Sequence, residues 1–337
     1  MQIVFMNRLV KGLGSDEVLA AQVWIGEEEG IWHLGWRDLL IGDEINDNIW
    51  YEGISWNEML CIYRHGLAMK LVEGYRPLIE GVFHEDEELR GKGNTVQKLY
   101  CYSELHLREE LYVQLSSWRR KRAGSEHKAP YFIASNKVLR LISTFIPHNV
   151  EELLQLPGVG VNKVEEYGTD ILEITSLVER SHRFPLDWVY TSLSEEVYTA
   201  WVFKQKEQKY KDELDKYRMH HKLLQGISEK KNLDQLRQEC NVKRKELIEA
   251  LEELEKAGYS TETLLELELK SMNKEEQVAV WSAFEELGDT FLKPVLQRVY
   301  GTDKESGKIG NVELLYERIR MIRIRFRRML NSRRNVS

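Results

Sequence analysis

From Met1 to Arg37 apolar and polar residues alternate, and from Ser55 onward apolar residues recur every three or four positions. The alternation predicts strands over Met1–Val10, Glu17–Gly26 and Ile31–Arg37. Glu27-Glu28-Glu29-Gly30 would be the exposed connection between the last two. Met59, Ile62, Tyr63, Leu67 and Leu71 then mark a helix, with Ser55 as its N-cap and Gly74 as its stop. Residues 1–90 are therefore expected to form a small α+β domain. The segment Phe83–Gln97, acidic and then rich in Gly and Lys, reads as a linker.

Beyond the linker the helical period dominates. Ser103 can cap a helix whose stripe is Leu107, Leu111, Leu115 and Trp118 and whose last turn is Arg119-Arg120-Lys121-Arg122. Ser135 can cap a second helix carrying Val138, Leu139, Ile142 and Phe145. Asn149 with Glu152 forms a capping-box-like start for a third, over Val150–Leu156. Leu156-Pro157-Gly158-Val159-Gly160 follows, with Lys163 at the head of the next helix. Such glycines let backbone amides approach an anion, a helix N-terminus adds positive potential, and Lys163 can reach a phosphate. The same string also suits a tight helix–helix turn with no ligand, and the residues alone leave both open.

Residues 190–231 read as a helical connector, dense in Lys and Glu and solvated from Trp201 to Lys231. Residues 232–330 read as a helical domain that opens with a helix-turn-helix. Leu233 and Leu236 face inward from the first helix, Cys240-Asn241-Val242 turns, and Leu247, Leu251 and Leu254 line the second. Lys243, Arg244 and Lys245 sit at the end of the second helix that would enter the major groove, whereas Glu246, Glu249, Glu252, Glu253 and Glu255 would repel phosphates. A final helix over Val312–Leu330 carries one stripe of Leu315, Ile319, Ile322, Phe326 and Met329 and another of Arg320, Arg323 and Arg327. From Arg318 to Arg334 there are eight arginines and no carboxylate, which suits a phosphate track, the solvated face of a docked helix, or a membrane surface.

Composition narrows the function. The 337 residues suit two or three domains. No stretch approaches the roughly 18 apolar residues of a membrane span, and the start lacks a signal-peptide pattern, so a soluble, cytoplasmic protein is expected. Cys61, Cys101 and Cys240 are scattered and suggest reduced thiols rather than a metal site. The net charge of −7 conceals an asymmetry: residues 1–90 carry a net −10 and the remainder a net +3. Five of the nine tryptophans (Trp24, Trp32, Trp36, Trp50, Trp56) fall in the acidic domain, where they suit either a core or base stacking. No enzyme motif is complete. The nearest approach to a P-loop, Gly301 to Gly307-Lys308-Ile309, has one residue too many and an isoleucine where the hydroxyl belongs. No catalytic residue, metal or cofactor is expected.

Residues 103–180 resemble the HRDC domain found at the C-termini of RecQ-type helicases and RNase D. The resemblance is carried by Leu111, Leu115, Trp118 and Arg119, by Pro130-Tyr131 before Ser135, and by Glu151-Glu152-Leu153-Leu154. Its most specific part is Leu156-Pro157-Gly158-Val159-Gly160 with Lys163 and Tyr167-Gly168. It implies a five-helix bundle that helps to position enzymes on nucleic acid. The C-terminal half more loosely resembles the extra helical region of some RecQ-like proteins, without the four zinc cysteines. The expected architecture is thus mainly α and multidomain. The expected function is binding of DNA, single-stranded or junction-containing, as a non-enzymatic accessory in repair or recombination beside a RecQ-type helicase or another repair protein. Phosphate contacts are expected from Lys163, the amides of Gly158, Val159 and Gly160, Arg119, Arg120, Lys121 and Arg122, Lys243, Arg244 and Lys245, and Arg320, Arg323 and Arg327. A helix-turn-helix transcriptional regulator and a protein-interaction adaptor without DNA binding are the alternatives.

Overall fold

A computed structural model describes residues 1–12, 18–39, 45–78, 92–126, 128–301 and 312–334. Residues 83–91 of the expected linker and 302–309 of the P-loop-like string lie outside the described residues. The chain divides into two compact units, Met1–Lys211 and Asp212–Ser337.

The first unit begins with an antiparallel sheet in the order β4-β3-β2-β1-β5. Its strands are β1 (Gln2–Gly12), β2 (Val18–Glu28), β3 (Ile31–Leu39), β4 (Ile45–Gly53) and β5 (Arg76–Pro77). Glu28 pairs with Ile31, so Glu29 and Gly30 alone make the β2–β3 turn, at φ 52° and 82°. Positive φ at both positions matches the right-handed twist of the flanking strands. Helix α1 (Trp56–Val72) starts as expected: the Ser55 side chain accepts a hydrogen bond from the Glu58 amide. Its Met59, Tyr63, Leu67 and Leu71 are buried in one core with Leu9, Val23, Ile25, Leu34 and Trp36 of the sheet. The Trp36 and Trp50 rings stack at 5.6 Å. Trp24, on the opposite face to Val23 and Ile25, lies over Gly35, where a Cβ would come within 2.5 Å of the indole. Trp24 and Trp36 are therefore packing residues rather than a stacking platform for bases.

A helical bundle follows, made of α2 (Lys92–Leu105), α3 (Glu109–Ser125), α4 (Pro130–Ile133), α5 (Asn136–Phe145), α6 (Val150–Leu153) and α7 (Val161–Thr175), with α8 (Val189–Ser192) after it. One expectation fails here. Ser103 is not a cap but an interior residue of α2, donating its hydroxyl to the Tyr100 carbonyl at 2.8 Å. The chain breaks after Leu105 and restarts with Glu109 and Glu110 in the first turn of α3, where their charge suits the positive helix end. Leu111, Leu115, Leu139, Ile142, Phe145, Leu153 and Tyr167 share the bundle core.

The Ser135 and Asn149 caps form, accepting from the Val138 amide at 3.3 Å and the Glu152 amide at 2.9 Å. The Glu152 carboxylate turns instead to the His148 amide at 2.7 Å and takes a two-pronged bond from Arg180 at 2.6 and 2.8 Å. Arg180 holds its carboxyl below the usual carboxylate range. The resulting stabilisation is present above the ordinary glutamate pKa and is lost as pH falls through the depressed value. Glu152→Gln should cost about 2 kcal/mol at neutral pH, and the stabilities of variant and parent should converge in acid. Urea melts at both conditions test this, and a gap that persists in acid would contradict it.

Helix α9 (Glu195–Ser228) forms over most of the expected helical connector, but it is not solvated on every side. In the first unit its Tyr198 and Val202 join the bundle core and Phe203 joins the sheet core. In the second unit its Leu223 and Ile227 are core residues. Abundant Lys and Glu on the solvent side hid these apolar positions. The second unit continues with α10 (Leu233–Cys240), α11 (Arg244–Lys256), α12 (Glu262–Lys270), α13 (Lys274–Leu287), α14 (Leu292–Tyr300) and α15 (Val312–Arg334). Ile319, Ile322 and Phe326 of α15 are buried as the stripe predicts, but Met321 and Ile324 are buried too. A helix buried on more than one face is central to its unit rather than docked on it. No helix among the described residues is long and apolar enough to cross a membrane.

Candidate nucleic-acid interface

The glycine turn between α6 and α7 has a backbone that only glycine accommodates readily. Gly158 sits at φ 84°, with Val138 Cγ2 only 3.0 Å from where a Cβ would stand. The Val159 amide closes the turn on the Leu156 carbonyl at 3.1 Å. Gly160 caps α7 without a side chain, so the first amides of that helix have no side-chain cap, while the Lys163 amide donates to the Gly160 carbonyl at 3.0 Å. Lys163 is half-exposed, and its ammonium donates a long 3.5 Å bond to the Gly158 carbonyl. The turn thus brings together a helix N-terminus and one ammonium that, among the described residues, has no carboxylate bonded to it, which is a cradle suited to an anion.

The basic block at the end of α3 divides in two, which corrects the expectation that all four residues face phosphates. Arg119 donates to the Ala134 carbonyl at 2.8 Å and to Asn136 Oδ1 at 2.9 Å, tying α3 to the junction of α4 and α5. Arg122 pairs with Glu126 at 2.5 Å and reaches Asp170 at 3.4 Å. Lys128 bridges Glu126 and Glu166, both at 2.9 Å, and Tyr167 donates its hydroxyl to Glu126. Lys128 and Arg122 together hold the Glu126 carboxyl down to about 2. Arg120 and Lys121 are exposed, and among the described residues neither meets a carboxylate.

Two site candidates escaped the sequence reading. Tyr131 and Phe132 of α4 are 65% and 62% exposed, with ring centroids 4.4 Å apart. Ala134, which accepts the Arg119 bond, is the C-cap of the same helix, so this aromatic pair stands beside the end of α3. The available signal was density. In the four-residue helix Pro-Tyr-Phe-Ile only Ile133 is buried, and two adjacent aromatic rings cannot both follow it inward.

In the second unit, α10 and α11 do form a helix pair joined by residues 241–243, with Asn241 in the left-handed conformation. Lys243 and Lys245 are exposed, but Arg244 is paired with Asp234, Glu268 and Glu317 at 2.8, 3.0 and 2.9 Å. Six arginines of α15 are engaged in the same way. Arg318 pairs with Glu276, Arg320 with Glu249, Arg323 with Glu252, Arg325 with Glu262, Arg327 with Asp289, and Arg328 with Glu255 and Glu262. The expected phosphate track along Arg320, Arg323 and Arg327 is therefore corrected to an internal ion-pair lattice. Three of the five acids of α11 that counted against DNA binding, Glu249, Glu252 and Glu255, are the partners of arginines that counted for it.

Residues 108–175 match the family model of the HRDC domain, so the chain carries that domain over α3 to α7. The chain is also similar to the ATP-dependent DNA helicase UvrD2 of Mycobacterium bovis (strain ATCC BAA-935 / AF2122/97) and of Mycobacterium tuberculosis strains CDC 1551 / Oshkosh and ATCC 25618 / H37Rv. Each is 35% identical over 66 residues, which is 20% of this chain and only 9% of the relative's own length. No solved structure matches. The HRDC domain is a nucleic-acid-binding accessory domain of helicases.

Proposed function

We propose that this chain, which carries an HRDC domain at residues 108–175, is a DNA-binding accessory protein that positions rather than catalyses. One observation supports this reading most. The exposed Tyr131 and Phe132 pair lies on the same bundle as three cations without carboxylate partners among the described residues, namely Arg120, Lys121 and Lys163. Aromatic faces stack unpaired bases without regard to sequence, and such cations follow the phosphates between them. Single-stranded DNA and the single-stranded parts of junctions are the substrates that this combination fits. The setting we propose is cytoplasmic DNA repair or recombination, beside a separately encoded helicase of the RecQ type.

We infer the interface on the bundle, because Arg244 and the α15 arginines from Arg318 to Arg328 already have carboxylates. Fluorescence anisotropy with labelled single-stranded, forked and duplex DNA across a salt series tests the reading. Binding should weaken steeply with salt and favour the substrates with unpaired bases. Lys163→Ala should weaken binding to all of them and lower the salt slope by about 1. A variant with an unchanged slope would remove Lys163 from the interface. Absence of binding at low salt would remove the DNA reading and leave that of a protein-interaction adaptor. A large preference for one duplex sequence would instead indicate a transcriptional regulator.

A further inference from the structure

A second concave site lies in the first unit, largely outside the HRDC-matching segment. It is a pocket of about 160 Å³ between α2, α5 and the first half of α9. Tyr100, Tyr198 and Trp201 form its aromatic lining, and Lys137, Lys206 and Lys209 its cations. The Trp201 ring is fixed, because its indole N–H donates to Glu104 Oε2 at 2.6 Å. Glu104, the one carboxylate of the lining, is itself paired with Arg140 at 3.1 Å.

The three ammoniums are not balanced in this way. Lys137 stands 5.3 Å from the Tyr100 ring centroid and Lys209 5.7 Å from that of Tyr210. Lys206 is only 8% exposed, and among the described residues it meets no carboxylate. A lysine whose stem is this buried presents its ammonium from a fixed position, where an anion can complete the site.

We propose that this pocket binds the phosphomonoester of a nucleotide, with the phosphate among the three lysines and the base against Tyr100 or Trp201. A terminal phosphate carries close to two charges at neutral pH, against one for each internal phosphodiester, and so answers three clustered ammoniums better. On the proposed function, the ligand is the phosphorylated end of a bound strand, and that part of the inference rests on the DNA reading. The pocket would then distinguish a strand end from the strand interior.

The test uses the full chain and three labelled oligonucleotides of one sequence, carrying a 5′-phosphate, a 3′-phosphate or only hydroxyl ends. One of the phosphorylated strands should bind about tenfold tighter than the hydroxyl-ended one, as one added charge-assisted contact allows. Lys206→Met, which keeps the buried stem, and the exposed double variant Lys137→Gln/Lys209→Gln should each erase that preference and leave hydroxyl-ended binding unchanged. Equal binding of all three strands overturns the end-recognition proposal while leaving the DNA reading intact.

If no strand binds, the DNA reading fails, and the pocket is judged alone by titrating dTMP against inorganic phosphate. The readout is the Trp201 indole N–H resonance, assigned with Trp201→Phe. A shift with dTMP that exceeds the shift with phosphate supports a nucleotide site. Equal shifts, or none, overturn it.

Discussion

Arg323→Ala should lower the stability of the second unit by about 3–5 kcal/mol, the range for removing one member of a buried ion pair. The Arg323 and Glu252 side chains are 10% and 12% exposed, and they meet at 2.5 Å with a second bond at 3.0 Å. Water cannot replace the missing guanidinium at such a site, so Glu252 would stay as an uncompensated charge. The comparison that isolates this cause is the double variant Arg323→Met/Glu252→Leu, which removes both charges and keeps apolar volume. It should recover most of the loss, because two buried charges replaced by packing atoms are often close to neutral. Urea denaturation of the parent, Arg323→Met, Glu252→Leu and the double variant gives the coupling energy directly. A double variant no more stable than Arg323→Ala would show that the ion pair itself, not the stranded Glu252 charge, accounts for the loss. Single-stranded DNA affinity under folded conditions should be unaffected, since the proposed interface is in the first unit.

Tyr131→Ala and Phe132→Ala should each weaken binding of single-stranded DNA by about 1–3 kcal/mol, which is roughly five- to more than a hundredfold. The rings are mostly in solvent, so their loss leaves almost no cavity and stability should change little. That combination is diagnostic, because a core aromatic would show the reverse. Binding to fully paired duplex should fall far less, since its bases are already stacked on one another. Anisotropy titrations at fixed salt, with thermal melts of the same samples, check both halves. Unchanged single-strand affinity in both variants would move the interface away from α4 and leave the cations of the bundle as its only support.

How much of this was legible in the sequence depended on whether a feature is set locally. The caps at Ser55, Ser135 and Asn149 and the turn at Glu29-Gly30 are decided within a few residues, and they were readable. Strand β4 was not, because Asn46-Asp47-Asn48 interrupts its alternation and pairing with β3 holds it in place. The break between α2 and α3 was hidden because Leu107 fits the stripe of either helix. Charge misled most. A run of arginines in sequence shows nothing of the carboxylates opposite it, and those lie 38 to 73 residues away in the bonds of Arg327 and Arg328. Conversely, the exposure of Tyr131 and Phe132 depends on what packs over α4, which no local pattern records.

The ion-pair lattice of α15 also imposes an order on synthesis. Glu249, Glu252, Glu255, Glu262, Glu276 and Asp289 all leave the ribosome before the arginines that neutralise them. Until α15 emerges, the nascent helices α11 to α13 face one another as an excess of negative charge around an unfilled apolar centre. The second unit is therefore expected to close in a single late event rather than helix by helix. A ribosome stalled before residue 312 would hold it as an open, protease-sensitive chain, whatever the state of the bundle made before it.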